Sequence, residues 1–186
     1  MSEVFKRIKR GLICSVLISS SAMASSALDH TEWSGWPSVG QAQLSVFIFD
    51  VYQSRLLAPD GTYRLQQDIS PHPLALSIDY QRDISQKQLI EATLEQWHEM
   101  GYEEGITMEW IRELAPIFPD IEQGQNLTYV TDGTNGKFYY QPSPSSIPEL
   151  IGLVNDEVLN DAFLAIWLSP NTTYPELRSQ LIGMNK

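Results

Sequence analysis

Cysteine is nearly absent: the 186-residue chain holds one, Cys14. No disulfide can form within the chain, so the fold must be held by packing. Histidine is scarce as well. His30, His72 and His98 are scattered, and His98-Glu99 lacks the second histidine of an H-E-x-x-H zinc site. With no converging ligand set, neither a metal nor another cofactor is expected. Basic residues are few, Lys+Arg 12 against Asp+Glu 23, for a net charge of −11. A nucleic-acid partner is thereby excluded, because phosphate binding needs clustered cations. The sequence also has no apolar run of the about 20 residues that span a bilayer, no G-x-S-x-G nucleophile elbow and no glycine-rich phosphate loop.

What the chain does have is apolar and aromatic material, with 42% hydrophobic residues, five Trp, eight Tyr and six Phe. That suffices to close one core without staples. The beginning has a different character. Lys6, Arg7, Lys9 and Arg10 precede a short apolar run over residues 11–18, and small residues follow up to Ala22-Met23-Ala24. This order is that of a cleavable secretory signal, so residues 1–24 are expected to be removed and residues 25–186 to form a single domain. Removal takes away Lys6, Arg7, Lys9, Arg10 and Glu3, leaving 8 basic against 22 acidic residues, a balance of −14. A secreted domain free of cysteine suits the bacterial periplasm. Its acidity disfavours anionic membrane surfaces.

Periodicity then outlines the elements. Residues 39–52 (VGQAQLSVFIFDVY) alternate with period two and become apolar on both faces, which predicts one strand buried on both sides. Residues 55–65 surround Pro59-Asp60-Gly61, a tight-turn signal that predicts a hairpin. Alternation returns over residues 74–82, where Leu74, Leu76, Ile78, Tyr80 and Arg82 share a face. Ser85 and Gln88 have capping-box spacing ahead of a helix that runs to Gly101. A second helix is predicted over residues 106–114, stopping before Pro116 and Pro119. Residues 126–131 and 137–141 read as a hairpin whose Asn135-Gly136 pair supplies the turn. Residues 156–168 read as a helix with Val158, Leu159, Ala162, Phe163, Ile166 and Trp167 on its apolar stripe, and Pro175 opens a last helix. The plan is α+β, with an antiparallel sheet covered by a layer of helices.

Arg82 stands out in this pattern. A guanidinium that continues a buried strand face must meet an anion, either an internal carboxylate or a ligand's. The aromatics Trp97, Tyr102 and Trp110 serve as core, or as a ligand wall if a cleft opens between sheet and helices.

Several segments, in order, resemble the chalcone isomerase-like family, in particular its short secreted bacterial branch. They are Phe49-Asp50-Val51-Tyr52, Tyr80-Gln81-Arg82-Asp83-Ile84, Phe118-Pro119 followed by Gly124, Gly136-Lys137-Phe138, and residues 159–169 (LNDAFLAIWLS). The resemblance covers residues 33–183 and implies an open-faced β-sandwich, a large antiparallel sheet under helices. Fold alone does not carry activity. The plant isomerase of the family uses an arginine, a threonine and a tyrosine, with lysine and asparagine nearby. Here the threonine position falls on Phe47, and the loop that should bring the arginine, residues 33–37 (WSGWP), has no basic residue. Tyr102 matches the catalytic tyrosine, whereas the lysine and asparagine positions become Gly105 and Glu109. Asn160 keeps a polar group at a substrate-contacting position. Other members bind fatty acids and hold the carboxylate with an arginine and a tyrosine.

The resemblance therefore implies a non-catalytic periplasmic protein that binds a small lipophilic or anionic molecule in the sheet-helix cleft. Arg82 and Tyr102 would be its polar anchors, Trp97 a wall and Asn160 a hydrogen-bonding group. Two alternatives stay open. One is an intramolecular lyase acting on another conjugated substrate. The other is a partner protein of an envelope complex, presenting Trp33, Trp36 and Pro37 as an apolar patch.

Overall fold

The computed structural model describes residues 32–46 and 49–184; the expected signal over residues 1–24, with Cys14, and the position of Phe47 lie outside them. A 3-10 turn at Glu32–Gly35 leads into β1 (Ser38–Val46), β2 (Phe49–Leu57) and β3 (Leu74–Tyr80). Helices α1 (Gln86–Glu99) and α2 (Glu104–Leu114) follow. Next come β4 (Asn126–Thr131), β5 (Gly136–Gln141) and β6 (Glu149–Val154), then α3 (Glu157–Leu168) and α4 (Pro175–Leu181). The six strands form one antiparallel sheet in chain order, β1-β2-β3-β4-β5-β6. The expected α+β plan of an antiparallel sheet under helices is the observed one.

Strand alternation decides what faces the helices. Tyr52, Leu56, Leu74, Leu76, Ile78, Tyr80, Leu127, Tyr129 and Phe138 join Trp97, Trp110, Leu159, Phe163 and Trp167 in the main core. The intervening residues form the other face, where Leu57, Ala75 and Tyr139 pack under Trp33 in a small second cluster, with Trp36 partly buried against it. The two tryptophans thus lie down on the sheet. The Trp33 indole is 8% exposed and tilts against Tyr139 at 5.9 Å between ring centres.

The helices start where their caps predict. Ser85 accepts from the Gln88 backbone while the Gln88 side chain accepts from the Ser85 N–H, a complete capping box. Asp156 caps α3 by accepting from the N–H groups of Val158 and Leu159.

Four expectations need correction. The stretch over residues 39–52 is two strands: the chain reverses between Val46 and Phe49, which pair with each other. The flanking Val46 and Phe49 are solvent-facing, 46% and 61% exposed. The segment after β2 makes a turn, with the Gly61 N–H donating to Ala58 O, but no second hairpin arm. There Asp60 accepts from the Thr62 backbone and hydroxyl and from Arg64, so local side-chain bonds replace a strand ladder. In the β4–β5 turn the left-handed residue is Gly133, φ 113°, held by Asp132 accepting from the Thr134 and Asn135 N–H groups. Gly136 instead lies in β5 directly against the Tyr129 ring. Finally, β6 is an edge strand that the proline-bracketed sequence around it concealed.

Candidate ligand-binding cavity

Between the sheet and the helices lies a cavity of about 250 Å³. Leu44, Val51, Ile78 and Leu127 form its sheet wall. Leu89 and Ala92 of α1 and Phe163, Ile166 and Trp167 of α3 form the opposite one, and Ile84 and Phe118 close one end. Most of these residues project inward because one face of each strand and one stripe of each helix is apolar; Val51 joins its neighbour Tyr52 there because the β1–β2 register shifts between Leu44 and Ser45 and leaves Val51 as a bulge.

Polar groups in the cavity are few. Tyr52 and Tyr80 are register partners on β2 and β3, their rings edge to face with centres 6.0 Å apart. Trp167 Nε1 donates to the Tyr52 hydroxyl at 2.9 Å. Thr93 spends its hydroxyl on the Leu89 carbonyl, and Gln96 accepts from the Thr173 hydroxyl. The Tyr52 O–H has no acceptor and the Tyr80 hydroxyl no partner among the described residues. The one sealed polar side-chain atom left without a partner there is Trp33 Nε1. Tyr80 is 6% exposed and lines the cavity. Burial pushes both phenols far above their ordinary pKa.

The four residues singled out in the sequence stand elsewhere. Arg82 does not continue a buried face: β3 ends at Tyr80, and the guanidinium is exposed in the following bend, without an ion pair among the described residues. Trp97 is fully buried where α1, α2 and α3 meet; its Nε1 donates to Ala162 O at 2.8 Å and its ring meets Trp110 edge-on. Half-buried Tyr102 packs edge-on against the other side of Trp110, its ring centre 5.6 Å away. Asn160 is fully buried: Oδ1 accepts from the Tyr129 hydroxyl at 2.8 Å, and Nδ2 donates to Ser70 Oγ at 2.7 Å. Ser70 Oγ donates in turn to the Asp161 carboxylate. Trp97 and Tyr102 are thus brought together through Trp110, and none of the four lines the cavity. The residues that do, Tyr52 and Tyr80, were legible only as strand positions on an apolar face.

The outer face of the sheet carries a wider, open groove of about 950 Å³ beside Arg55, Asp79, Asn126 and Gln141. Its polar groups largely satisfy one another: Asn126 Nδ2 donates to Ser77 and to Asp79, and Arg55 lies 3.6 Å from Asp79. The apolar cavity between sheet and helices is the better ligand site.

Comparison with known proteins agrees with the architecture. No protein-family model matches the sequence. An uncharacterized protein of Haemophilus influenzae is 29% identical over 159 residues, which covers 81% of this chain and 70% of that protein. The crystal structure of a fatty-acid binding protein of Arabidopsis thaliana superposes with a TM-score of 0.56 at 11% identity, over 79% of this chain and 86% of that one. The fold is chalcone isomerase-like, an open antiparallel sheet covered on one face by helices.

Proposed function

We propose that the protein is a non-catalytic periplasmic binder of a small lipophilic molecule, held in the cavity between sheet and helices. The observation that carries this reading is the cavity, lined mostly by aliphatic and aromatic side chains, with the Tyr80 hydroxyl on its wall free of a partner among the described residues. A fold shared with a fatty-acid binding protein supports it. The size of the cavity supports a small ligand. An apolar space of about 150 Å³ takes up benzene, so this one suits about ten non-hydrogen atoms.

The groups present support a binding role over turnover. General acid-base catalysis needs a group that exchanges protons near working pH. Tyr52 and Tyr80 are held neutral by burial, and the one carboxylate on the lining, Glu95, is exposed on α1. Placement in the periplasm rests on the basic start, the short apolar run and Ala22-Met23-Ala24.

Thermal unfolding with a panel of medium-chain alcohols, ketones and single-ring aromatics tests the reading. A ligand at a hundredfold excess over its Kd adds about 2.7 kcal/mol, which raises the midpoint of a domain this size by roughly 5–10 °C. Ala92 is exposed on α1 yet lines the cavity, so Ala92→Trp should fill the space without disturbing the core and abolish the shift. A wild-type midpoint that no member of the panel moves would sink the proposal.

A further inference from the structure

Resting on the binding role above, we infer that the cavity selects an uncharged molecule bearing a hydrogen-bond acceptor, a ketone, aldehyde or ester oxygen seated on the Tyr80 and Tyr52 hydroxyls, and rejects carboxylate anions. The inference comes from what the wall offers. No Lys, Arg or His lines the cavity, and its one charged lining residue, Glu95, is negative. The cations nearest in sequence are committed or outside: Lys87 pairs with Glu91 at 3.4 Å, and exposed Arg82 is not part of the wall.

A carboxylate entering this space would lose its water without gaining a counter-charge, a penalty that neutral donors do not offset. A carbonyl oxygen carries no such penalty. It accepts from the Tyr80 hydroxyl, which has no other partner among the described residues. It can also accept from Tyr52, whose oxygen already receives the Trp167 N–H while its own proton has no acceptor there. Because burial keeps both phenols protonated, they remain donors through the physiological pH range. A plain hydrocarbon would leave those donors dry and unpaired, so the site discriminates against it as well.

Calorimetric titration of the purified protein with 2-nonanone and with nonanoate, two probes of nearly equal length, tests this. At neutral pH the ketone should bind at least about tenfold more tightly. Nonanoate affinity should rise as pH falls toward about 4, where the acid becomes protonated. Tyr80→Phe should weaken the ketone about tenfold and leave nonanoate unaffected. Since the Tyr80 hydroxyl holds no group among the described residues, this variant should fold, and the wild-type pH profile is an independent readout. Nonanoate binding as tightly as 2-nonanone at neutral pH, or ketone affinity unchanged in Tyr80→Phe, overturns the preference while leaving the binding role intact. Absence of heat with either probe and of any midpoint shift with the panel above overturns both.

Discussion

Trp167 Nε1 donates to the Tyr52 hydroxyl at 2.9 Å, joining the end of α3 to β2 across 115 residues of chain. The bond is part of the cavity wall, so it fixes the shape of the space as well as the packing of α3 on the sheet. Tyr52→Phe would leave a buried indole N–H unpaired, at a cost of about 1–3 kcal/mol. Tyr80→Phe, which strands no group among the described residues, should cost less than about 1 kcal/mol. Urea unfolding of the two variants side by side should therefore separate them, and equal losses would mean that the Trp167 bond contributes nothing to stability.

Asn160 connects Tyr129 of β4 to Ser70 in the loop between β2 and β3, and Ser70 connects onward to Asp161. In Asn160→Ala two buried hydroxyls lose a partner, and stability should fall by about 2–5 kcal/mol. The loop should also open to protease ahead of global unfolding. Limited proteolysis would show cleavage within residues 58–73 in the variant alone. Unchanged resistance would show that the loop is held by its packing.

Two glycines mark close approaches. A Cβ at Gly40 would overlap the backbone carbonyls of Gln180 and Leu181 at the end of α4, and one at Gly136 would overlap the Tyr129 ring. The first obstacle is main chain and the second a side chain pinned by Asn160, so neither yields easily. Gly40→Ala and Gly136→Ala should each destabilise by about 1–3 kcal/mol. Gly105, whose Cβ would meet nothing within 4 Å, gives the control. Gly105→Ala, in exposed helix, should be neutral or stabilising by up to about 1 kcal/mol, and chemical denaturation of the three variants would rank them.

Alkaline pH should unfold the protein through its tyrosines. Burial raises the pKa of Tyr52, Tyr80 and Tyr129 above the ordinary value of about 10. A group whose folded pKa is raised stabilises the fold fully below its unfolded pKa and loses that contribution as pH rises toward the folded value. Above about pH 10 the unfolded chain ionises where the folded one cannot, and stability falls by up to about 1.4 kcal/mol per pH unit for each such tyrosine. Tyrosinate absorbance should rise in two stages, the half-buried phenols such as Tyr102, Tyr140 and Tyr174 first, and Tyr52, Tyr80 and Tyr129 together with loss of the near-UV dichroism. A single smooth titration with the fold intact would contradict this.

The helices were legible because period and caps agree: Ser85 with Gln88 and Asp156 with its apolar stripe leave little freedom in where α1 and α3 begin. The reversal between Val46 and Phe49 was hidden, since the sequence alternation continues past Val46 with no glycine, proline or asparagine to mark a change of strand. Edge strand β6 was hidden for the opposite reason, being short and flanked by Pro148. Reading Arg82 as buried extended the period of β3 two residues past its end. Tyr52 and Tyr80 each sit on a recognisable apolar face, but their meeting depends on the register between strands, which no local pattern encodes. Asn160 was readable as a polar residue in an apolar helix; its partners Ser70 and Tyr129 lie 90 and 31 residues away in the sequence.

The contact of α4 with Gly40 has a temporal side. Sheet pairing runs strictly between chain neighbours and can grow in the order of synthesis, yet the cover of the first strand is the last helix made. Val39, 1% exposed in the finished protein, must wait almost the whole length of the chain for its shelter. This long loop closure adds slow, non-local contacts to an otherwise local topology, and it makes β1 and α4 a single cooperative unit.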